Sequence, residues 1–376
     1  MKLKCSSCSE EYGLESPRWR CDCGAYLRLE GTKAPRIQDL EGRERSLWRY
    51  AEAIPITKER VSLGESITPL LSTQLYDRDC HLKLDYLLPT GSKKDRGIAV
   101  MATRLKEWKI DAVVEDSSGN AGASLAAYCG KAGIAIDVYV PSYTSLGKMA
   151  QIAVYGANLV TVEGTREDTT KAAMEAGSRT FYASHNWSPF FEHGIKTYVY
   201  EIWEQMHYNL PDVLIAPCGN GSLIVSAYEA INEIVAEYPE TKVPRLVAVQ
   251  SDACAPLATA WMLGKEEPMP IVKRETIAEG IASAAPLKAR EVLQAVRETG
   301  GVFATVTDDE LWQGLRTLAH QGVLVEPTSA TAAAAFKNLL ENGWIGPEDE
   351  VVIELTGNGL KAANKIVEVF QTQGSF

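Results

Sequence analysis

From about residue 61 onward, short β-branched runs alternate with helical patterns for most of the chain. This alternation constrains the possible folds more than any other feature. DAVVED (111–116) reads as a buried strand, AGASLAAYCGKAG (121–133) as a helix of small residues, and AIDVYVP (135–141) as a strand. LGKMAQIAVYG (146–156) reads as a helix and NLVTVEG (158–164) as a strand. PDVLIAP (211–217) is a strand feeding a helix from about Leu223 to Glu237. RLVAVQ (245–250), GVFATV (301–306) and EVVIEL (350–355) are further strands. Strands alternating with helices of this length imply βαβ units and parallel sheets covered on both faces. The expected architecture is α/β, with a small domain over 95–200 and a large one over 201–376. Residues 31–94 read as a connector, with a helix within 31–60, and the N-terminal part of the large domain. Residues 1–30 form a compact unit of their own.

A chain of 376 residues, 45% of them apolar, can bury a core in each of two domains. Its net charge of −11, with no long Lys/Arg run, argues against nucleic acid or an anionic membrane as partner. No apolar stretch reaches the length of a membrane span, and the start, MKLKCSSCSE, lacks an apolar signal segment. A soluble cytoplasmic protein is the expectation. The chain ends soon after TGNGLK, so no appended regulatory domain is expected.

In open α/β sheets, ligands bind beyond the carboxyl ends of the strands, so the strand-to-helix loops are the candidate sites. SSGNAG (117–122) places two hydroxyls, a glycine and an asparagine before a helix N-terminus, which attracts a carboxylate or phosphate. A plain N-cap fits the same residues. CGNGS (218–222) flanks Asn220 with glycines, as a phosphate-cradling backbone requires, although a bare glycine turn has the same composition. No Gly-Lys-Ser/Thr follows, so it is not a Walker loop. TGNGLK (356–361) ends a buried strand on the Thr356 hydroxyl, which suits one hydrogen bond to a ring nitrogen or a simple cap.

LPTGSKKDRGIAV (88–100) packs two lysines, an aspartate and an arginine into four positions. Ile98, Met101, Ala102, Leu105 and Trp108 follow at helical spacing, so the lysines open a helix. A lysine near the positive helix end and close to Arg96 has its ammonium disfavoured, as a Schiff-base lysine requires. A solvated, charged helix start fits the residue types equally well.

Together these pieces resemble the fold-type II pyridoxal-phosphate enzymes and, among them, the threonine synthase family. PTGSKKDRG is similar to that family's Pro-Thr-Gly-Ser-Phe-Lys-Asp-Arg-Gly, and SLGESITPLL (62–71) to its Gly-Glu-Gly-x-Thr-Pro-Leu. SSGNAGASLAAY is similar to its Ser-Thr-Gly-Asn-Thr loop and helix, and PCGNGSL to its phosphate loop. EPTSATAAAA (326–335) and TGNGLKAA resemble its closing motifs, and WRYAEAIP (48–55) its pre-domain segment. The motifs run in family order over nearly the whole chain. The resemblance implies two doubly wound domains with pyridoxal 5′-phosphate in the cleft, and a homodimer acting on a small amino acid. It implies that Lys94 bonds to the cofactor and, once freed, removes the substrate α-proton as general base. It gives Ser117, Ser118, Gly119 and Asn120 to the substrate carboxylate, with Asn120 also near the cofactor 3-hydroxyl. It gives Gly219, Asn220, Gly221 and Ser222 to the cofactor phosphate, and Thr356 to the pyridine nitrogen.

Three positions depart from the family pattern. Ala121 stands in place of a threonine in the substrate-binding loop, and Phe191, in SPFFEHGIKT (188–197), in place of an arginine. Lys93 stands in place of a phenylalanine. Its ammonium either binds an anionic leaving group or points to solvent. The function implied is that of threonine synthase, taking O-phosphohomoserine to threonine and phosphate. The alternative is a threonine/serine dehydratase-like ammonia-lyase, or β-replacement on an activated serine. His185 and His193 read as packing or rim residues.

Cys5, Cys8, Cys21 and Cys23 form two close pairs, CSSC and CDCG, twelve residues apart. Four thiolates so spaced suit a tetrahedral structural zinc, and archaeal-type members of the resembling family carry a similar knuckle. Reduced, unmetallated thiols are the other reading. Cys80, Cys129, Cys218 and Cys254 are scattered and expected in the core.

Overall fold

The computed structural model describes residues 1–56, 59–144 and 146–372. Its contacts divide the chain into two compact units. One comprises Met1–Ile67 with Leu88–Thr197, the other Thr68–Leu87 with Tyr198–Phe376.

The first unit begins with a small antiparallel sheet. β1 (Lys2–Cys5) lies between β2 (Glu11–Tyr12) and β3 (Leu27–Glu30). The described residues of 31–60, expected to hold a helix, contain one helical turn at Ile37–Leu40 and a 3-10 turn at Leu47–Arg49. The buried Arg49 guanidinium explains this difference, since it takes the carbonyls of Leu40, Arg43 and Glu44, which a longer helix would have paired. The strands β6 (Ala112–Glu115), β7 (Ala135–Pro141) and β8 (Asn158–Val162) then form a parallel sheet in that order, and Tyr182 bridges to Val114 beside it. Helices Lys94–Glu107, Asn120–Ala132, Leu146–Val154 and Arg166–Gly177 alternate with these strands. Trp19 meets Tyr182 and Trp187 edge-on, with ring centroids 5.0 and 5.3 Å away, and so ties the cysteine-bearing segment to its own unit.

In the second unit β4 (Leu70–Leu75) and β5 (Arg78–Lys83) join β9 (Val213–Pro217), β10 (Arg245–Ser251), β11 (Val302–Val306) and β12 (Val351–Glu354). The order is β11-β10-β9-β12-β5-β4, parallel except for the β4–β5 hairpin. The central strands are apolar because both faces are covered. Every residue of β9 and β12 is buried, and Phe336 and Leu339 of the helix Pro327–Glu341 belong to the same core. The hairpin has no counterpart in the sequence reading. It turns on Tyr76 and Asp77, both left-handed (φ 54° and 59°), in place of the Asn-Gly or Asp-Gly pair that usually marks such a turn. Among the described residues no helix is long and apolar enough to cross a membrane.

A buried charge also fixes β5. Lys83 is wholly buried, and its Nζ donates to Glu201 Oε2 (2.7 Å), the Thr68 carbonyl (2.8 Å) and Gln205 Oε1 (2.9 Å). Removing one partner of such a pair strands the other charge away from water. Lys83→Met should therefore lower the unfolding free energy by ~3–5 kcal/mol. Lys83→Met/Glu201→Leu should recover much of that loss, as read by urea denaturation. Equal losses in both variants would show that the pair is not the cause.

Candidate active site

In the first unit the helix Lys94–Glu107 starts directly after the Thr90-Gly91-Ser92-Lys93 turn, so Lys94 is its first residue and Lys93 its N-cap. No side chain caps this helix. Its start is fixed instead by Asp95, which has no solvent exposure. Asp95 Oδ2 accepts the Thr90 N–H (2.6 Å), and Oδ1 accepts the hydroxyls of Thr90 and Ser124 (each 2.6 Å). Three short hydrogen bonds to one buried carboxylate thus tie the turn, the Lys94 helix and the Asn120 helix together.

Across the Lys94 helix packs the helix Pro189–Ile195. A side chain on Gly97 would collide with the Phe191 ring, and one on Gly194 with the Arg96 carbonyl, so these glycines let the two backbones approach. Phe191 is fully buried, and Lys94 Nζ lies 5.2 Å from its ring centroid. The position where an arginine was expected therefore holds an aromatic ring beside the lysine. The other residues retained in that motif build structure. Arg96 donates to Thr197 Oγ1 (3.2 Å), Thr197 donates to the Gly194 carbonyl (2.7 Å), and Lys196 Nζ donates to Thr32 Oγ1 (3.0 Å). His193 is buried with Nδ1 3.3 Å from the Ala53 carbonyl, which is a packing role.

The loop Ser117–Gly119 leads from β6 into the helix Asn120–Ala132. The plain N-cap that the same residues would allow is not made, since no side chain caps this helix. Ser117 Oγ accepts the Gly119 N–H instead (3.4 Å), and a side chain on Gly122 would collide with the Ser117 carbonyl. The first-turn N–H groups and dipole suit an anion there. Ser117, Ser118 and Asn120 are half-buried, Gly119 is exposed and Ala121 is buried.

Just before this loop, Glu115 at the end of β6 and Asp116 after it are two acids that sequence reasoning passed over. Asp116 is fully engaged, by Arg166 (2.8 Å), Thr170 (2.8 Å) and the Tyr182 hydroxyl (2.9 Å). Glu115 faces His185, with Oε1 3.1 Å from Nδ1. Burial, followed by the like charge of Asp116, pushes the Glu115 carboxyl well above its ordinary range. Burial, followed by the positive charges of Lys94, Arg166 and Lys93, holds His185 well below its own. Both shifts oppose a charge on this hydrogen-bonded pair. Lys93 is thereby placed in the electrostatic neighbourhood of His185.

In the second unit the loop after β9 runs into the helix Ser222–Glu237, again with no side-chain cap. Gly221 is left-handed (φ 91°), and a side chain there would collide with Val292. A Cβ on Gly219 would lie 2.9 Å from the Ile281 Cα. Both glycines are thus required by space, and the uncapped N–H groups they expose suit a phosphate. Asn220 Oδ1 is held by the Ser283 hydroxyl (2.9 Å).

Thr356 follows β12 and is buried. Ser329 Oγ accepts the N–H groups of Thr356 (3.0 Å) and Gly357 (2.9 Å), which fills both its lone pairs. The Ser329 hydrogen then goes to Thr356 Oγ1, 2.8 Å away. The Thr356 hydroxyl is left with its own hydrogen to give, which makes it a donor suited to an unprotonated ring nitrogen. Ser329 lies within EPTSATAAAA, but nothing in the sequence marks it as the residue that orients Thr356.

At the N-terminus the Sγ atoms of Cys5, Cys8, Cys21 and Cys23 all lie within 4.8 Å of one another, with Cys5–Cys23 and Cys8–Cys21 each at 3.5 Å. Tetrahedral Zn–S bonds set S···S separations of about 3.8 Å. Cys5 Sγ also accepts the N–H groups of Ser7 (3.3 Å) and Cys8 (3.4 Å), which favours a thiolate.

The class of enzyme follows from the comparisons with known proteins. Residues 61–357 match the family described as "Pyridoxal-phosphate dependent enzyme". The chain is similar to serine racemase of maize (TM-score 0.68, 20% identity, covering 82% of this chain and 92% of that one). It is also similar to the L-serine ammonia-lyase of the fungus Rhizomucor miehei (TM-score 0.70, 20% identity, covering 82% and 99%). These two likenesses show the fold. In sequence it is 33% identical to the threonine synthase of Methanocaldococcus jannaschii over 96% of this chain and 93% of that protein. It is 31% identical to that of Methanosarcina acetivorans over 98% and 94%. The chain belongs to the threonine synthase family of pyridoxal-phosphate dependent enzymes.

Asp95→Ala strands three donors and should cost roughly 3 kcal/mol of stability. In a Thr90→Val/Ser124→Ala background the two hydroxyl donors are already gone, so the same change should cost distinctly less in thermal or urea unfolding. An equal cost in both backgrounds would mean that the hydroxyl bonds do not hold the turn.

Proposed function

We propose that the enzyme converts O-phosphohomoserine and water to threonine and inorganic phosphate. The observation that carries this reading is the similarity to threonine synthases over nearly the full length of both chains. When bound, pyridoxal phosphate supplies an electron sink for bond breaking at the substrate α-carbon.

The chain's own residues divide the remaining work. Lys94 Nζ carries the cofactor and, when released as a neutral amine, takes the α-proton. Ser117, Ser118, Gly119 and Asn120 receive the substrate carboxylate at the start of an uncapped helix, and Asn120 also serves the cofactor hydroxyl. Ala121 lines the same loop and leaves room where the family has a hydroxyl. Gly219, Asn220, Gly221 and Ser222 receive the cofactor phosphate through backbone N–H groups. The Thr356 hydroxyl gives its hydrogen to the ring nitrogen and adds no charge there. Lys93 offers the ammonium for the leaving phosphate. The reading places the enzyme in the cytoplasm as a homodimer, on the strength of its family.

One observation favours a second reading, elimination of water and ammonia from threonine or serine. Phe191 is wholly buried and carries no charge for a phosphate where the family pattern has arginine. The two readings predict different products. With O-phosphohomoserine, the purified enzyme should release threonine and phosphate in equal amounts, and Lys94→Ala should abolish both. Formation of 2-oxobutyrate from threonine, with no phosphate released from O-phosphohomoserine, would replace the first reading with the second.

The four cysteines hold one structural zinc ion in this proposal, supported by their sulfur separations and by the N–H groups on Cys5. Protein purified without chelator should contain one zinc per chain, and Cys21→Ser should lower both metal content and thermal stability. Zinc-free protein of unchanged stability would count against it.

A further inference from the structure

Resting on the reading of Lys94 as the reactive amine, we propose that Phe191, His185 and Glu115 are its positioning residues. The Phe191 ring holds the amine's cationic form, and the His185–Glu115 pair holds that ring.

The four groups form one line in the first unit. Lys94 Nζ lies 5.2 Å from the Phe191 centroid, within the range of a cation–π contact. The Phe191 ring meets the His185 ring edge-on, with centroids 5.3 Å apart at 69°. His185 Nδ1 lies 3.1 Å from Glu115 Oε1. The ring cannot drift, because it is fully buried and its edge fills the space a side chain on Gly97 would need. Glu115 is 1% exposed, and its Oε2 has no hydrogen-bond partner among the described residues. Asp116 next to it, by contrast, has both oxygens engaged.

The charges around the line set the sign of its effect. Asp116 opposes ionisation of Glu115, whereas Arg166 and Lys94 favour it. Lys94, Arg166 and Lys93 all act to keep His185 neutral. Asp95 and Arg96 follow Lys94 on its own helix. Above its raised range Glu115 is a carboxylate, which favours the Lys94 ammonium, and so does the face of the Phe191 ring. Losing either makes the amine lose its proton at lower pH. Asp116, Arg166 and Lys93 remain in place in every variant below, so the change reports on the line itself.

The test uses the apoprotein and pyridoxal 5′-phosphate, trapped with borohydride over a pH series. Peptide mass spectrometry reads the fraction of Lys94 that carries the pyridoxyl group. Glu115→Gln and Phe191→Leu should each move the midpoint of the Lys94 profile to lower pH, by roughly half a unit to one unit. The profile of exposed Lys242 should not move. Glu115→Gln preserves shape, so it decides alone if Phe191→Leu does not fold. Unmoved Lys94 midpoints with Lys94 still trapped overturn the positioning role and leave the proposed reaction standing. Absence of pyridoxyl on Lys94 in the unaltered chain overturns the assignment of Lys94, and this inference with it.

Discussion

A single carboxylate without solvent, that of Asp95, sets the local geometry at the start of the Lys94 helix. It gathers an N–H and two hydroxyls from two elements, the Thr90 turn and the Asn120 helix. Its neighbours inherit their positions from it. Lys94 becomes the first residue of a helix, and Arg96 and Gly97 are turned toward the helix Pro189–Ile195. Because the carboxylate is fully satisfied, its burial is compatible with a stable fold. The adjacent lysines need no burial of their own.

The same economy recurs in the loops. Neither the Asn120 helix nor the Ser222 helix has a side-chain cap, although serine and asparagine stand at both starts. In an ordinary helix those residues would satisfy the first-turn N–H groups. Here the hydroxyls and amide are directed elsewhere, Ser117 to Gly119 and Asn220 to Ser283. Glycines at 122, 219 and 221 fit where any side chain would strike the backbone or Val292. Two uncapped N-termini on two units thus suit a carboxylate and a phosphate by one physical device.

Phe191 gives the departure from the family pattern a physical meaning. An arginine at that position would place a guanidinium against Gly97 and Lys94. The ring instead gives the ammonium an apolar partner with a negative face. The buried Glu115 and neutral His185 stand behind that ring. After burial, Lys94, Arg166 and Lys93, in that order, act on His185.

Much of this was legible in the residues themselves. The β-branched runs at 135–141 and 245–250 mark their strands to within a residue, because β-branched residues favour the extended, packed surface of a sheet. The motifs around Lys94, Asn120, Gly219–Ser222 and Thr356 are contiguous, so one chain suffices to read them. What the sequence alone left undetermined depends on distance in space. The β4–β5 hairpin was hidden because Tyr76 and Asp77 take a conformation usually left to glycine and asparagine. The described residues of 31–60 fail to form their expected helix because Arg49 claims the carbonyls. Ser329 orients Thr356 across 27 residues, and His185 finds Glu115 across 70. Sequence determined which residues have the chemistry. Only the tertiary structure decided which of them are buried, neutral or aimed, because burial and hydrogen bonding are properties of neighbours that the chain brings together only on folding.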